Sequence, residues 1–245
     1  MSQFNPSSPE SAASDKGLLT PIKRRSFFMY AGATAGATAL VLSGCGKDDI
    51  TPNDPNKVSL GNGNLSVLQY AYALEQLEAA FYDKVKGSTV AGFSAVEKAY
   101  FDQVAAHEAI HRDFFKAAII NVAKGTPIID LTPNFSGIDF TNRSSVLGAA
   151  KAFEDLGVAA YNGAGKLISG SDATSQAYLV LAGKIVSVEA RHAAYVRNLV
   201  MPGSFAADDQ VDPISGLDKA MTPVDVINAA KGFIVQTIDA SQVGK

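Results

Sequence analysis

Two short segments, Glu108-Ala109-Ile110-His111 and Glu189-Ala190-Arg191-His192, each place a carboxylate and an imidazole three residues apart. On a helix that spacing puts both side chains on one face, within reach of a common point. The 245 residues contain only three histidines, His107, His111 and His192, and only seven glutamates, Glu10, Glu75, Glu78, Glu97, Glu108, Glu154 and Glu189. At that frequency a glutamate three places ahead of a given histidine is expected roughly 3% of the time, so two instances among three histidines are not accident.

The echo runs further. Leu74-Glu75-Gln76-Leu77-Glu78-Ala79-Ala80-Phe81-Tyr82 aligns without gaps on Phe153-Glu154-Asp155-Leu156-Gly157-Val158-Ala159-Ala160-Tyr161. From Glu75 to Glu108 is 33 residues and from Glu154 to Glu189 is 35. The unit Glu…Glu-x-x-His is therefore written twice, and an internal duplication of this kind constrains the fold before composition is consulted.

The spacing predicts four helices of similar length. The first starts near Asn64 and runs to Lys86, with a seam at Leu65, Leu68, Tyr72, Glu75, Ala79 and Tyr82. The second is capped by Ser94 with Glu97 three residues on, a capping-box pattern, and ends at Lys124-Gly125. The third starts near Ser144, and the fourth runs from the turn at Ser169–Asp172 to about Val200. Residues 125–143 hold two prolines and two glycines and no helical pattern, so one long connection separates two short ones. The fold class is all-α, a four-helix bundle with one long crossover between helices 2 and 3. A C-terminal helix is expected from Thr222-Pro223 to about Asp239.

Glu75, Glu108, His111, Glu154, Glu189 and His192 all fall on the apolar seams, where the core forms. Four buried carboxylates repel one another, and an unpaired buried charge costs several kcal/mol. No Lys or Arg stands on a seam to neutralise them, whereas two divalent cations balance four negative charges. A set with two imidazole nitrogens suits iron first and manganese second, ahead of calcium or magnesium. Two metal ions are the expected cofactors. Glu78 aligns with Gly157 and reads as a residue behind the centre or exposed. His107 aligns with Val188 and reads as a flanking histidine. Tyr82 and Tyr161 read as core tyrosines with hydrogen-bonded hydroxyls. Arg112 and Arg191 read as solvated, and residues 205–212 as a surface loop.

Composition narrows the remainder. A net charge of −3 gives no reason to expect nucleic acid. One cysteine rules out an internal disulfide and a four-thiolate electron-transfer module within these residues, so the reductant would be a separate, unassigned electron donor. Residues 1–22 are polar and unpatterned. Lys23-Arg24-Arg25-Ser26-Phe27-Phe28 then precedes a mild apolar run that ends in Leu42-Ser43-Gly44-Cys45. The run is shorter and more interrupted than the ~20 apolar residues of a membrane span.

The paired arginines resemble a twin-arginine export signal, and Leu-Ser-Gly-Cys resembles a lipobox. On that resemblance residues 1–45 are a signal and Cys45 carries a lipid. Residues 46–62 are then a flexible linker, 63–203 the bundle, and 204–245 a C-terminal loop and helix. The protein is expected to be exported to the periplasm or cell surface and held to the membrane through Cys45. Over residues 65–200, Leu-Glu-x-Leu-Glu-Ala-Ala-Phe-Tyr, Glu-Ala-x-His and Val-Glu-Ala-Arg-His resemble the ferritin-like superfamily. Within it they resemble the exported bacterial branch akin to plant desiccation-related proteins. The resemblance implies a di-iron or di-manganese centre and an oxidoreductase acting on Fe(II), peroxide or oxygen. The alternative is a non-catalytic, stress-protective ferritin-like module. A lipid anchor and an extra C-terminal helix argue against a closed iron-storage cage and leave a homodimer open.

Overall fold

A computed structural model of the chain describes residues 56–245; the expected signal and Cys45 lie outside the described residues. The elements run β1 (Lys57–Ser59), α1 (Gly63–Lys86), α2 (Ala95–Asn121), α3 (Arg143–Ala164), α4 (Ala173–Val200), α5 (Pro223–Ala230) and β2 (Thr237–Asp239). Among the described residues no helix is long and apolar enough to cross a membrane.

Helices α1 and α2 pack on each other, as do α3 and α4, and the two pairs close on a common interior. The capping box at α2 forms as expected: the Glu97 backbone N–H donates to Ser94 Oγ at 3.2 Å, and the Ser94 N–H donates to Glu97 Oε2 at 2.7 Å. The side chains of Asn142 and Asp172 cap α3 and α4. Asn64 does not cap α1. Its amide instead donates to the Ser169 carbonyl at 2.8 Å and its Oδ1 accepts from the Ser169 N–H at 2.9 Å, tying the α3–α4 turn to the start of α1.

The long crossover is laid along α1 by two glutamines. Gln69 donates to the Thr126 carbonyl (2.7 Å) and accepts from the Ile128 N–H (2.9 Å), while Gln76 Oε1 accepts from the Leu131 N–H (2.8 Å). A connection without regular structure satisfies its backbone groups in this way.

Two expectations change at the edges. The C-terminal helix ends at Ala230, not at Asp239, and the chain turns into β2, which pairs in parallel with β1 in the register Lys57↔Thr237, Val58↔Ile238, Ser59↔Asp239. Gly232 weakens helix propagation, and Ile234, Val235, Thr237 and Ile238 are β-branched residues that prefer extended backbone. Residues 57–62, expected to be linker, belong to the folded body, with Val58 and Leu60 buried. The segment before α5 runs close along α3: the Met221 N–H donates to the Ala159 carbonyl, and a Cβ on Gly163 would lie 1.7 Å from the Met221 carbonyl oxygen. Only glycine allows that approach.

Two apolar clusters flank the middle of the bundle. One gathers Phe81, Tyr82, Phe101, Leu147, Phe153 and Val196 beneath Phe135 and Phe140 of the crossover. The other gathers Val67, Tyr70, Leu74, Ala160 and Ala164 beneath α5 and the segment around β2. The carboxylates lie in the layer between.

Candidate metal centre

All four helices contribute to that layer. Glu75 comes from α1, Glu108 and His111 from α2, Glu154 from α3, and Glu189 and His192 from α4. The four glutamates are fully buried, and the two imidazoles are nearly so, His111 at 8% exposed and His192 at 4%. Two quartets form, Glu75, Glu108, His111, Glu189 and Glu108, Glu154, Glu189, His192, with potential ligand atoms within 4.8 Å of one another in each. Glu108 and Glu189 belong to both, so they stand between two positions.

His111 Nδ1 lies 2.8 Å from Glu189 Oε1, 3.3 Å from Glu108 Oε2 and 3.6 Å from Glu75 Oε2. His192 Nδ1 lies 3.0 Å from Glu108 Oε1, 3.6 Å from Glu154 Oε2 and 3.7 Å from Glu189 Oε2. Despite this crowding, Glu75 Oε2, Glu108 Oε1, Glu154 Oε2, both Glu189 oxygens and His192 Nδ1 make no hydrogen bond. Of these atoms, Glu189 Oε1 and Glu108 Oε1 stay within ion-pair distance of the imidazoles, so charge and not directed hydrogen bonding holds the cluster. A buried carboxylate oxygen without a partner is expensive, and six converging lone-pair atoms fit a metal pair.

The outer oxygens of the terminal glutamates are satisfied. Tyr161 donates to Glu75 Oε1, and Tyr82 donates to Glu154 Oε1. Each tyrosine holds one oxygen outward and leaves the other facing the layer. Burial pushes Glu75 well above the usual carboxylate range and Glu154 up to about 8, against the pull of the imidazoles. For Glu108 burial also acts upward, but His111 and His192 outweigh it and bring the carboxyl to about 2. Burial alone would lower His192, yet the carboxylates around it raise it to about 12, and His111 shifts the same way. Protons on the imidazoles thus do part of what cations would do here.

The six residues read from the spacing are brought together. Two others near the centre, Glu78 and His107, were underweighted by the sequence reading. Glu78 is 4% exposed, and a Cβ on Gly157 would sit 2.9 Å from its Oε1. The absent side chain at 157 makes room for Glu78, so the mismatch in the repeat was itself the signal. Burial and the surrounding carboxylates, Glu189 first among them, raise its pKa well above the ordinary value. His107 is exposed, but its Nδ1 lies 2.9 Å from His192 Nε2, with the two rings 12° from coplanar. Tyr100 donates to the His192 carbonyl at 3.0 Å. Asp209 lies in an exposed loop, as expected, and there with Asp155 it pairs with Arg197, itself 2% exposed. That buried arginine neutralises the loop and not the glutamates. Arg112 pairs with exposed Asp113, as expected of a solvated residue.

An open vestibule of about 480 Å³ lies between α2 and α4, lined by Tyr100, His107, His111, Arg191, His192 and Tyr195 among others. It exposes the imidazole side of the layer to solvent.

Two packed helix pairs, one long crossover between them and a doubled carboxylate–histidine set define a bundle protein with a metal-binding type of core. The ferritin-like domain family matches residues 63–202, and the chain belongs to it. No curated protein matches the chain.

Proposed function

We propose that the protein is a di-metal carboxylate oxidoreductase of the cell envelope, acting on Fe(II), peroxide or oxygen. The observation that carries the reading is the set of six unpartnered, converging oxygen and nitrogen atoms in a fully buried layer. Glu75, Glu108, His111, Glu154, Glu189 and His192 would hold two iron or manganese ions, and such ions supply the electron transfer that no side chain here can perform. The chain's own residues set the stage. Tyr82 and Tyr161 fix the terminal carboxylates by donating to their outer oxygens. His107 holds the ring of His192 by an edge-to-edge hydrogen bond, so that Nδ1 stays turned to the layer. The vestibule admits a polar reactant to the imidazole side.

Membrane attachment through Cys45 and export rest on the N-terminal pattern alone and belong to the same proposal. A Cys45→Ala variant recovered in the soluble fraction, with the parent in the membrane fraction, supports them.

The deciding experiment is metal content by mass spectrometry on the protein purified without chelator. About two iron or manganese ions per chain are expected, with near none in a Glu108→Ala/Glu189→Ala variant. A folded parent that stays empty after anaerobic reconstitution with both metals removes the di-metal reading and leaves the non-catalytic module. Metal bound without Fe(II) oxidation, peroxide consumption or oxygen uptake removes the enzyme and keeps the centre.

A further inference from the structure

We infer that the protein carries a separate apolar site for dioxygen, beside Tyr161 and away from the polar vestibule. A cavity of about 30 Å³ lies inside the bundle, walled almost entirely by carbon, between α1, α2, α3 and α4. Leu74, Ala118, Ala160, Tyr161, Ala164 and Ala182 are among its walls. Tyr161 is the residue whose hydroxyl donates to Glu75, so the cavity is separated from the carboxylate layer by one side chain. This inference rests on the proposed metal centre for its purpose but not for its existence.

The duplication accounts for the cavity on the Tyr161 side. Its walls Leu74, Ala160, Ala164 and Ala182 align with Phe153, Phe81, Val85 and Phe101 of the other repeat. Those larger residues fill the space around Tyr82, where the ring centroids of Phe81 and Phe101 lie 5.0 and 5.8 Å from that of Tyr82. At each of four aligned positions the side facing Tyr161 carries the smaller residue. Tyr70 and Phe115 run the other way, aligning with Ala149 and Val196, yet close packing is the rule in protein interiors, and a gap left by trimming at four positions is a place for something.

Tyr70 indicates what that guest is. It lines the same cavity, is 1% exposed, and its hydroxyl has no hydrogen-bond partner. Water is a poor fit, because a buried water needs about two to four polar partners and the walls are almost all carbon, with Tyr70 the lining residue whose buried hydroxyl is unpartnered. Hydrogen peroxide, with two hydroxyls to satisfy, is a worse one. The volume is roughly a fifth of the ~150 Å³ apolar cavity that takes benzene, which leaves room for a diatomic and none for an acyl chain. Dioxygen is apolar, small, and has lone pairs to meet one donor. The two oxidants therefore have different routes: dioxygen by this cavity, peroxide by the vestibule at His111 and His192.

Xenon, an apolar probe of similar size, tests the site in the metal-free protein. Crystals under xenon pressure should show one atom against Tyr70 and Tyr161, lost in Ala182→Phe and in the milder Ala164→Val, each of which copies the other repeat. In iron-loaded protein the same variants should slow oxidation by dioxygen several-fold and leave oxidation by peroxide unchanged. No xenon in the parent, equal slowing by both oxidants, or unslowed dioxygen in a variant that excludes xenon would each overturn the inference. The two readings fail separately. A parent with xenon but no metal loses the centre and keeps an apolar gas site, whereas one with two metals and no xenon keeps the centre and loses the cavity's role.

Discussion

The α1–α2 and α3–α4 pairs present the same three groups to the centre, yet what stands behind those groups differs. His192 rests on His107, whereas the aligned position behind His111 is Val188. α1 adds Glu78 one turn beyond Glu75, whereas α3 has Gly157 one turn beyond Glu154, and the glutamate occupies the room the glycine leaves. The difference teaches that duplication kept the atoms that face the layer and the tyrosines that hold the terminal glutamates, and released the supports at positions 78/157 and 107/188. Two positions of equal ligand count are then unequal in basicity and surroundings. The position shared by Glu154 and His192 is supported by His107, which reaches solvent, and the one shared by Glu75 and His111 has Val188 at the aligned place.

The sharpest way to break this comparison is to remove one member of each kind. Glu108 serves both quartets and Glu75 only one, so Glu108→Ala should lose both metals and Glu75→Ala about one per chain, read by mass spectrometry. Equal loss in both variants would make the two positions a single unit. Chelation comes next. Because a ligand at a thousand times its Kd stabilises by about 4 kcal/mol, removing metal should lower Tm clearly in calorimetry. Loading at pH 7 should release on the order of three to four protons per chain, since four of the ligand groups, Glu75, Glu154, His111 and His192, are shifted upward in the metal-free protein. Uptake of protons would reverse the sign and sink the electrostatic account.

His107→Ala should weaken metal binding by roughly 10–100-fold, as loss of a residue supporting a ligand does. Val188→Ala should leave it nearly unchanged, and similar losses in the two would erase the asymmetry. The smallest effect concerns Glu78. Its folded pKa is raised above the ordinary 4.5, so its contribution is intact below that value and is lost as pH rises. Glu78→Gln should therefore stabilise the metal-free protein on the order of 1 kcal/mol, increasingly above pH 4.5, in urea unfolding at several pH values.

The fold and the six converging residues were legible because both are periodic. Seam spacing places Glu75, Glu108, His111, Glu154, Glu189 and His192 on inward faces, and each motif was vouched for by its copy. The same reasoning hid Glu78 and His107, because it gives weight to what is repeated and they face Gly157 and Val188. Neither β1 nor β2 was legible, since three residues carry no period and their partners are 180 residues apart. The apolar cavity comes from small residues on four different helices, a coincidence in space that no single stretch displays.

The β1–β2 pair also determines how a mechanical load would pass through the molecule. Any pull on the chain ahead of Lys57 meets the ladder to Thr237–Asp239 first, then the hydrogen bonds from the Gly63 N–H to the Lys245 carbonyl and from the Gly244 N–H to Ser66 Oγ. Tension is thereby handed to the C-terminal segment before it reaches the body of α1. Glu75, three turns further along that helix, is shielded from it, and the pair acts as a strain relief between the N-terminal chain and the carboxylate layer.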